Sequence, residues 1–116
     1  MSLMKAFGNS MRGLSLALRS ERAVRQEAVV LVVAVPAAAL LAETLWVAVA
    51  LIGVVLLVLC VELLNTAIEK LCDHVTPAHH PQIGAVKDLA SAAVLCGLLL
   101  ATLVWTAALT EALLGR

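Results

Sequence analysis

The chain has 116 residues, 63% hydrophobic and only 14% charged, with one Phe, no Tyr and a mean hydropathy of +1.06. A soluble domain carries roughly 25% charged residues, so the deficit points to a small integral membrane protein. Eight basic and eight acidic residues cancel to a net charge of zero, and no broad basic patch for nucleic acid is present.

Residues 3–25 read as an amphipathic helix lying on the membrane surface. Phe7, Met11, Leu14 and Leu18 repeat at helical spacing on one face, and Lys5, Arg12 and Arg19 recur at intervals of seven on another. Glu21 and Glu27 do not suit a mere anchor for anionic lipid. The segment is too long and too amphipathic for a secretory signal, so the whole chain is read as mature. Residues 28–42 are an apolar run of 15 containing Pro36, short of the ~20 residues that cross a bilayer and expected to kink. Arg25 and Gln26 at one end and the turn at Glu43 and Thr44 at the other allow it to span.

The second span runs over 45–72. Leu45 to Val61 holds no charged side chain, and the remainder extends out of the bilayer with a polar face. Residues 74–86 read as a loop by their breakers, Pro77, Pro81 and Gly84, and residues 89–109 as the third span. Seven of the eight basic residues lie in the N-terminal segment or around the 74–86 loop, and none at the Glu43–Thr44 turn. By the positive-inside rule the N-terminus and that loop are cytoplasmic, with Trp46 and Trp105 near the opposite interface. Cys60, Cys72 and Cys96 lack metal-ligand spacing and read as apolar fillers of helix surfaces.

The polar face of the second span carries the chemistry. At 100° per residue Asn65, Glu69 and Asp73 fall about 300°, 340° and 20° from Glu62, so all four share one narrow strip. Sixteen residues separate Trp46 from Glu62, about 24 Å of helix in a core of about 30 Å, which puts Glu62 near the cytoplasmic edge and Glu69 about 10 Å further out. A carboxylate at that depth is costly and marks a functional site, although Glu62 and Asn65 could instead only hold helices together. Transfer from a water-soluble phosphoryl donor to a lipid hydroxyl needs a base at headgroup depth and metal ligands on the aqueous side. Glu62 has the depth for the base. Glu69 is placed for a hard cation such as Mg²⁺, and Glu21 could supply a second carboxylate. Lys87 and Asp88 open the third span at the same level with Ser91 one turn deeper. Lys87 can face phosphate, Asp88 can cap the helix, and no glycine-rich phosphate loop exists. His79 and His80 are adjacent loop residues, unsuited to a zinc pair and free to stand beside a nucleotide.

The segments ERAVRQE at 21–27, VELLNTAIE at 61–69 and VKDLASAAVL at 86–95 resemble, in order and spacing, the signature blocks of the prokaryotic diacylglycerol kinases. The AVRQE form is more similar to the Gram-negative enzymes than to the related undecaprenol kinases. The resemblance implies an all-α membrane protein, one surface helix and three spans in a homotrimer, in the bacterial cytoplasmic (inner) membrane. It implies ATP-dependent phosphorylation of membrane diacylglycerol to phosphatidic acid, with Glu62 as catalytic base and Glu21 and Glu69 as the Mg²⁺ pair. ATP is implied to meet Asn9, Glu21, Asn65, Glu69, Asp73, His79, His80, Lys87 and Asp88. The lipid substrate is implied to lie near Ala23, Val24, Arg25, Gln26, Glu27, Glu62 and Ser91. Asn9 stands where related enzymes often have an aromatic residue, and His79 where they have a tyrosine. The alternatives are an undecaprenol kinase, a small proton-coupled transporter, which needs four spans, and a noncatalytic assembly subunit, which leaves the polar strip unexplained.

Overall fold

The computed structural model of the protein describes residues 2–76, 78 and 80–115. Among these are four α-helices and no strand: α1 (Leu3–Ser20), α2 (Arg22–Leu41), α3 (Leu45–Val75) and α4 (Pro81–Leu113). The last three are long and apolar enough to cross a membrane. The all-α architecture of one amphipathic helix and three spans is therefore what the sequence leads one to expect.

Helices α1, α3 and α4 begin with a side chain that accepts from a free backbone N–H of the first turn. Ser2 Oγ accepts from Lys5 N at 3.2 Å to cap α1, Thr44 Oγ1 accepts from Val47 N at 3.2 Å to cap α3, and His80 Nδ1 accepts from Gln82 N at 3.1 Å to cap α4. Pro81 then occupies the start of α4, where its missing N–H costs nothing.

The helix boundaries differ from the sequence expectation at all five segments. The surface helix expected over 3–25 ends at Ser20, because Glu21 adopts an extended backbone (φ −120°, ψ 116°) and the chain turns there. The turn is fixed by Arg25, whose Nη1 donates to Leu18 O and Arg19 O, each at 3.1 Å, filling carbonyls left open at the end of α1. The first span, expected over 28–42, thereby starts at Arg22 and reaches 20 residues, about 30 Å, which removes its apparent shortness. It remains one helix through Pro36. The loop expected over 74–86 shrinks to the few residues between Val75 and Pro81. Proline at a first helical position and a lone glycine inside a helix are compatible with helix, so Pro81 and Gly84 do not break the chain. The helix that contains the expected third span 89–109 accordingly runs over 81–113, and the helix of the second span reaches Val75 rather than Cys72.

α3 is the central element, packed against α2 on one side and α4 on the other. Its inward stripe runs Leu51, Val55, Val58, Glu62, Asn65, Glu69, Cys72, alternating steps of four and three as in a coiled-coil seam. Small residues let the neighbours approach: Ala34 and Ala38 of α2 are buried, as is Gly97 of α4, where an added Cβ would stand 3.7 Å from Val58 Cγ2. Trp105 Nε1 donates to Leu51 O at 3.0 Å, so this ring, expected only as an interface belt residue, also ties α4 to α3. Val24, Ala17 and Leu59 form the apolar cluster under the α1–α2 elbow. Outward-facing Val32, Leu40, Leu99 and Leu103 are exposed, as expected for surfaces solvated by lipid.

At about 46 Å and 50 Å, α3 and α4 are longer than a hydrocarbon core of about 30 Å, so part of each projects beyond it. The projecting end of α3 is the polar one, and it carries the candidate site.

Candidate active site at the polar end of α3

Glu62, Asn65 and Thr66 are buried polar side chains at 8%, 9% and 6% exposure, in a molecule whose core is otherwise aliphatic. Glu62 takes a seam position, directly after Val58 in the stripe, so packing that would suit a leucine instead encloses a carboxylate. Across from it on α2 lies Glu27, close enough for the two charges to repel.

One turn on, Asn65 Nδ2 donates to Glu69 Oε1 at 3.4 Å. Asn65 Oδ1 is buried and has no hydrogen-bond partner. Such an acceptor is rare in a folded protein and marks a place suited to a donor or cation from outside the chain. The Glu21 carboxylate reaches the same turn of α3 from the α1–α2 elbow, its Oε2 lying 3.5 Å from Lys70 Nζ, the residue after Glu69. Glu21 and Glu69, 48 positions apart in sequence, thus approach the same region of α3 from two elements. No group of three or more His, Cys, Asp or Glu able to hold a metal ion is found among the described residues. Two carboxylates and an orphan amide oxygen fit Mg²⁺, which keeps waters and phosphate oxygens for most of its six positions, and do not fit a zinc or calcium cage.

Further along, Lys87 Nζ donates to Asp73 Oδ1 at 2.6 Å, pinning the start of α4 to the end of α3 and closing the polar strip. This bond raises the Lys87 ammonium above its ordinary value, the Asp73 hydrogen bond being the main cause, so a full positive charge stands there. Lys87 lies outside the 89–109 stretch that the sequence assigns to the bilayer.

Other expected site residues are less closely gathered. Ala23 is half-buried and Gln26 exposed on α2. Val24 is fully buried in the core cluster, and Arg25 is engaged with the end of α1. Asp88 and Ser91 are exposed on α4. Asn9 Oδ1 accepts from Arg12 within α1, and His80 serves as the cap of α4. His79 lies outside the described residues. Sequence reasoning missed the pairing of Lys70 with Glu21 and the facing of Glu27 to Glu62. Both join distant segments, and the sole hint in the sequence was that Lys70 adjoins Glu69.

A family model described as prokaryotic diacylglycerol kinase matches residues 8–109, nearly the whole chain and every residue of this site. The chain belongs to the prokaryotic diacylglycerol kinase family. Among its relatives, the diacylglycerol kinase of Escherichia coli K12 is 41% identical over 103 residues, covering 89% of this chain and 84% of the relative. The diacylglycerol kinase of Pseudomonas aeruginosa is 40% identical with the same coverage. That of Haemophilus influenzae is 35% identical over 96 residues, 83% of this chain and 81% of the relative. Membership makes the chain an enzyme of the diacylglycerol kinase kind, and its three apolar helices make it a multi-pass membrane protein.

Proposed function

We propose that the protein transfers the γ-phosphoryl group of MgATP to the primary hydroxyl of membrane diacylglycerol, giving phosphatidic acid and ADP at the cytoplasmic face of the bacterial inner membrane. The observation that carries this reading is the stripe of α3 on which buried Glu62 is followed by Asn65 and Glu69, with Glu21 brought in beside them. Family membership supports the substrate pair.

In this mechanism Glu62 accepts the hydroxyl proton as the lipid oxygen bonds to the γ-phosphorus, while the bond from phosphorus to the ADP oxygen breaks. Glu21 and Glu69 would hold the ion, and the buried, unpartnered Asn65 Oδ1 is available to a donor or cation beside them. Mg²⁺ bound there would offset the phosphate charge. Lys87, braced by Asp73, faces the remaining phosphate charge, and Asp88, His79 and His80 border the nucleotide. Arg25 and Val24 serve the lipid side by shaping the elbow, whereas Ala23, Gln26 and Ser91 lie where the lipid approaches.

A homotrimer completes the assignment. Of the 33 residues of α4 only Ala90 and Gly97 are buried, and an open apolar groove of 440 Å³ lies between α2 and α4, lined by Val29, Val33, Val55 and Trp105 among others. Apolar surfaces this open favour closure by neighbouring copies. The N-terminus is assigned to the cytoplasm by the positive-inside rule.

The test is phosphate transfer from labelled ATP to lipid alcohols in mixed micelles. Label entering phosphatidic acid in proportion to diacylglycerol is expected. Label entering undecaprenol in preference replaces the substrate, and no transfer to any lipid alcohol overturns the reading.

A further inference from the structure

Glu21 occupies the residue before α2, where a carboxylate ordinarily turns back to accept from the backbone N–H groups of the first helical turn. It makes no such bond. Its Oε2 instead lies 3.5 Å from Lys70 Nζ, across on α3. Lys70 directly follows Glu69, so the ammonium stands beside the very turn from which Glu69 is assigned to share an ion with Glu21. The two carboxylates are held differently: Glu69 accepts from the neutral amide of Asn65, while Glu21 is paired with a full positive charge.

We infer that Lys70 is a resident counter-ion of the metal site, one that holds the Glu21 carboxylate towards α3 while no divalent ion is present and is displaced from it when the ion binds. This rests on the proposed assignment of Glu21 and Glu69 to the metal. The consequence is a higher divalent-ion requirement than the two carboxylates alone would set. The pair is half-open to water, with side-chain exposures of 48% and 29%, and open ion pairs are weak. Its competition with the ion is therefore bounded to a factor of about 1.5 to 5 and shrinks as salt screens the pair. Once released, Lys70 has water on its exposed side and a flexible four-carbon stem on which to swing away.

The test is direct binding of Mn²⁺, followed by electron paramagnetic resonance of the free ion, to the full-length protein in detergent micelles without nucleotide. Lys70→Met retains the apolar stem and the helix preference while removing the charge. It should tighten Mn²⁺ binding by about 1.5- to 5-fold at low salt, with a smaller change at 0.5 M salt. Lys70→Arg, which restores a cation, should return the affinity to within about twofold of wild type. In the Glu21→Gln background, where no carboxylate is left to pair, Lys70→Met should have no effect. Unchanged or weaker Mn²⁺ binding by Lys70→Met, or the same tightening in the Glu21→Gln background, overturns the inference. The two levels separate cleanly. Glu21→Gln that leaves Mn²⁺ binding at the wild-type level removes the metal pair itself, whereas weakened binding in Glu21→Gln with no response to Lys70→Met removes only the role of Lys70.

Discussion

The two halves of α3 use one stripe for opposite purposes. From Leu45 to Val61 the stripe presents Leu51, Val55 and Val58, all buried, and works as a packing seam against α2 and α4. From Glu62 onward the same alternation of four and three continues, but it presents Glu62, Asn65 and Glu69. Geometry that closes apolar contacts in the first half confines polar groups in the second. Glu62 is therefore enclosed because of its register on the seam, with no special pocket required, at a position where an apolar side chain would pack.

The largest effect should come from breaking the first polar position of the stripe. Glu62→Gln keeps the shape but cannot take a proton, and should lower kcat for lipid phosphorylation by at least about 10², the usual scale of general-base catalysis. Glu62→Leu should be equally inactive yet unfold at the same or a higher temperature, since it returns the position to the apolar seam. A Glu62→Gln enzyme with more than half of wild-type turnover would remove the base, and a Glu62→Leu protein that unfolds would show that the carboxylate is structural.

A smaller effect is expected two turns on. Glu69→Asp and Glu21→Asp each withdraw a carboxylate by one methylene and should raise the Mg²⁺ concentration for half-maximal activity by roughly 10-fold, with less change in the lipid KM. A Mg²⁺ dependence unchanged from wild type in both variants contradicts the pairing of these residues at one ion. The smallest effect belongs to the apolar half. Trp105→Phe loses the hydrogen bond to Leu51 O, a contact of the kind worth about 0.6 kcal/mol between membrane helices, and should lower thermal stability slightly while leaving the Mg²⁺ dependence unchanged. A changed Mg²⁺ dependence in that variant would show that the two halves are not separable.

How far the sequence reveals this division depends on the range of the interactions. The strip Glu62, Asn65, Glu69 lies within one helix, so its shared face follows from helical periodicity, and the hydrogen bond from Asn65 to Glu69 joins neighbours four apart. The break at Glu21 is not visible in the same way. Glutamate is a good helix former, and the elbow is held by Arg25 reaching back to Leu18 O and Arg19 O, a tertiary arrangement that overrides local preference. Pro81 and Gly84 mislead in the opposite direction, since their breaker character disappears once His80 caps the helix ahead of them. The pairs that complete the site, Glu21 with Lys70 and Asp73 with Lys87, join different elements. Only the fold brings those partners together.

The central claim is that the first polar position of the stripe moves the proton and the later one holds the ion. Its most direct test is Mn²⁺ binding, by electron paramagnetic resonance, to Glu62→Gln and Glu69→Gln side by side in the same micelles. Glu62→Gln should bind Mn²⁺ within about twofold of wild type even though it no longer phosphorylates lipid, and Glu69→Gln should bind it at least about tenfold more weakly. Equal loss of Mn²⁺ binding in both variants, or loss in Glu62→Gln alone, would contradict the division of labour along α3.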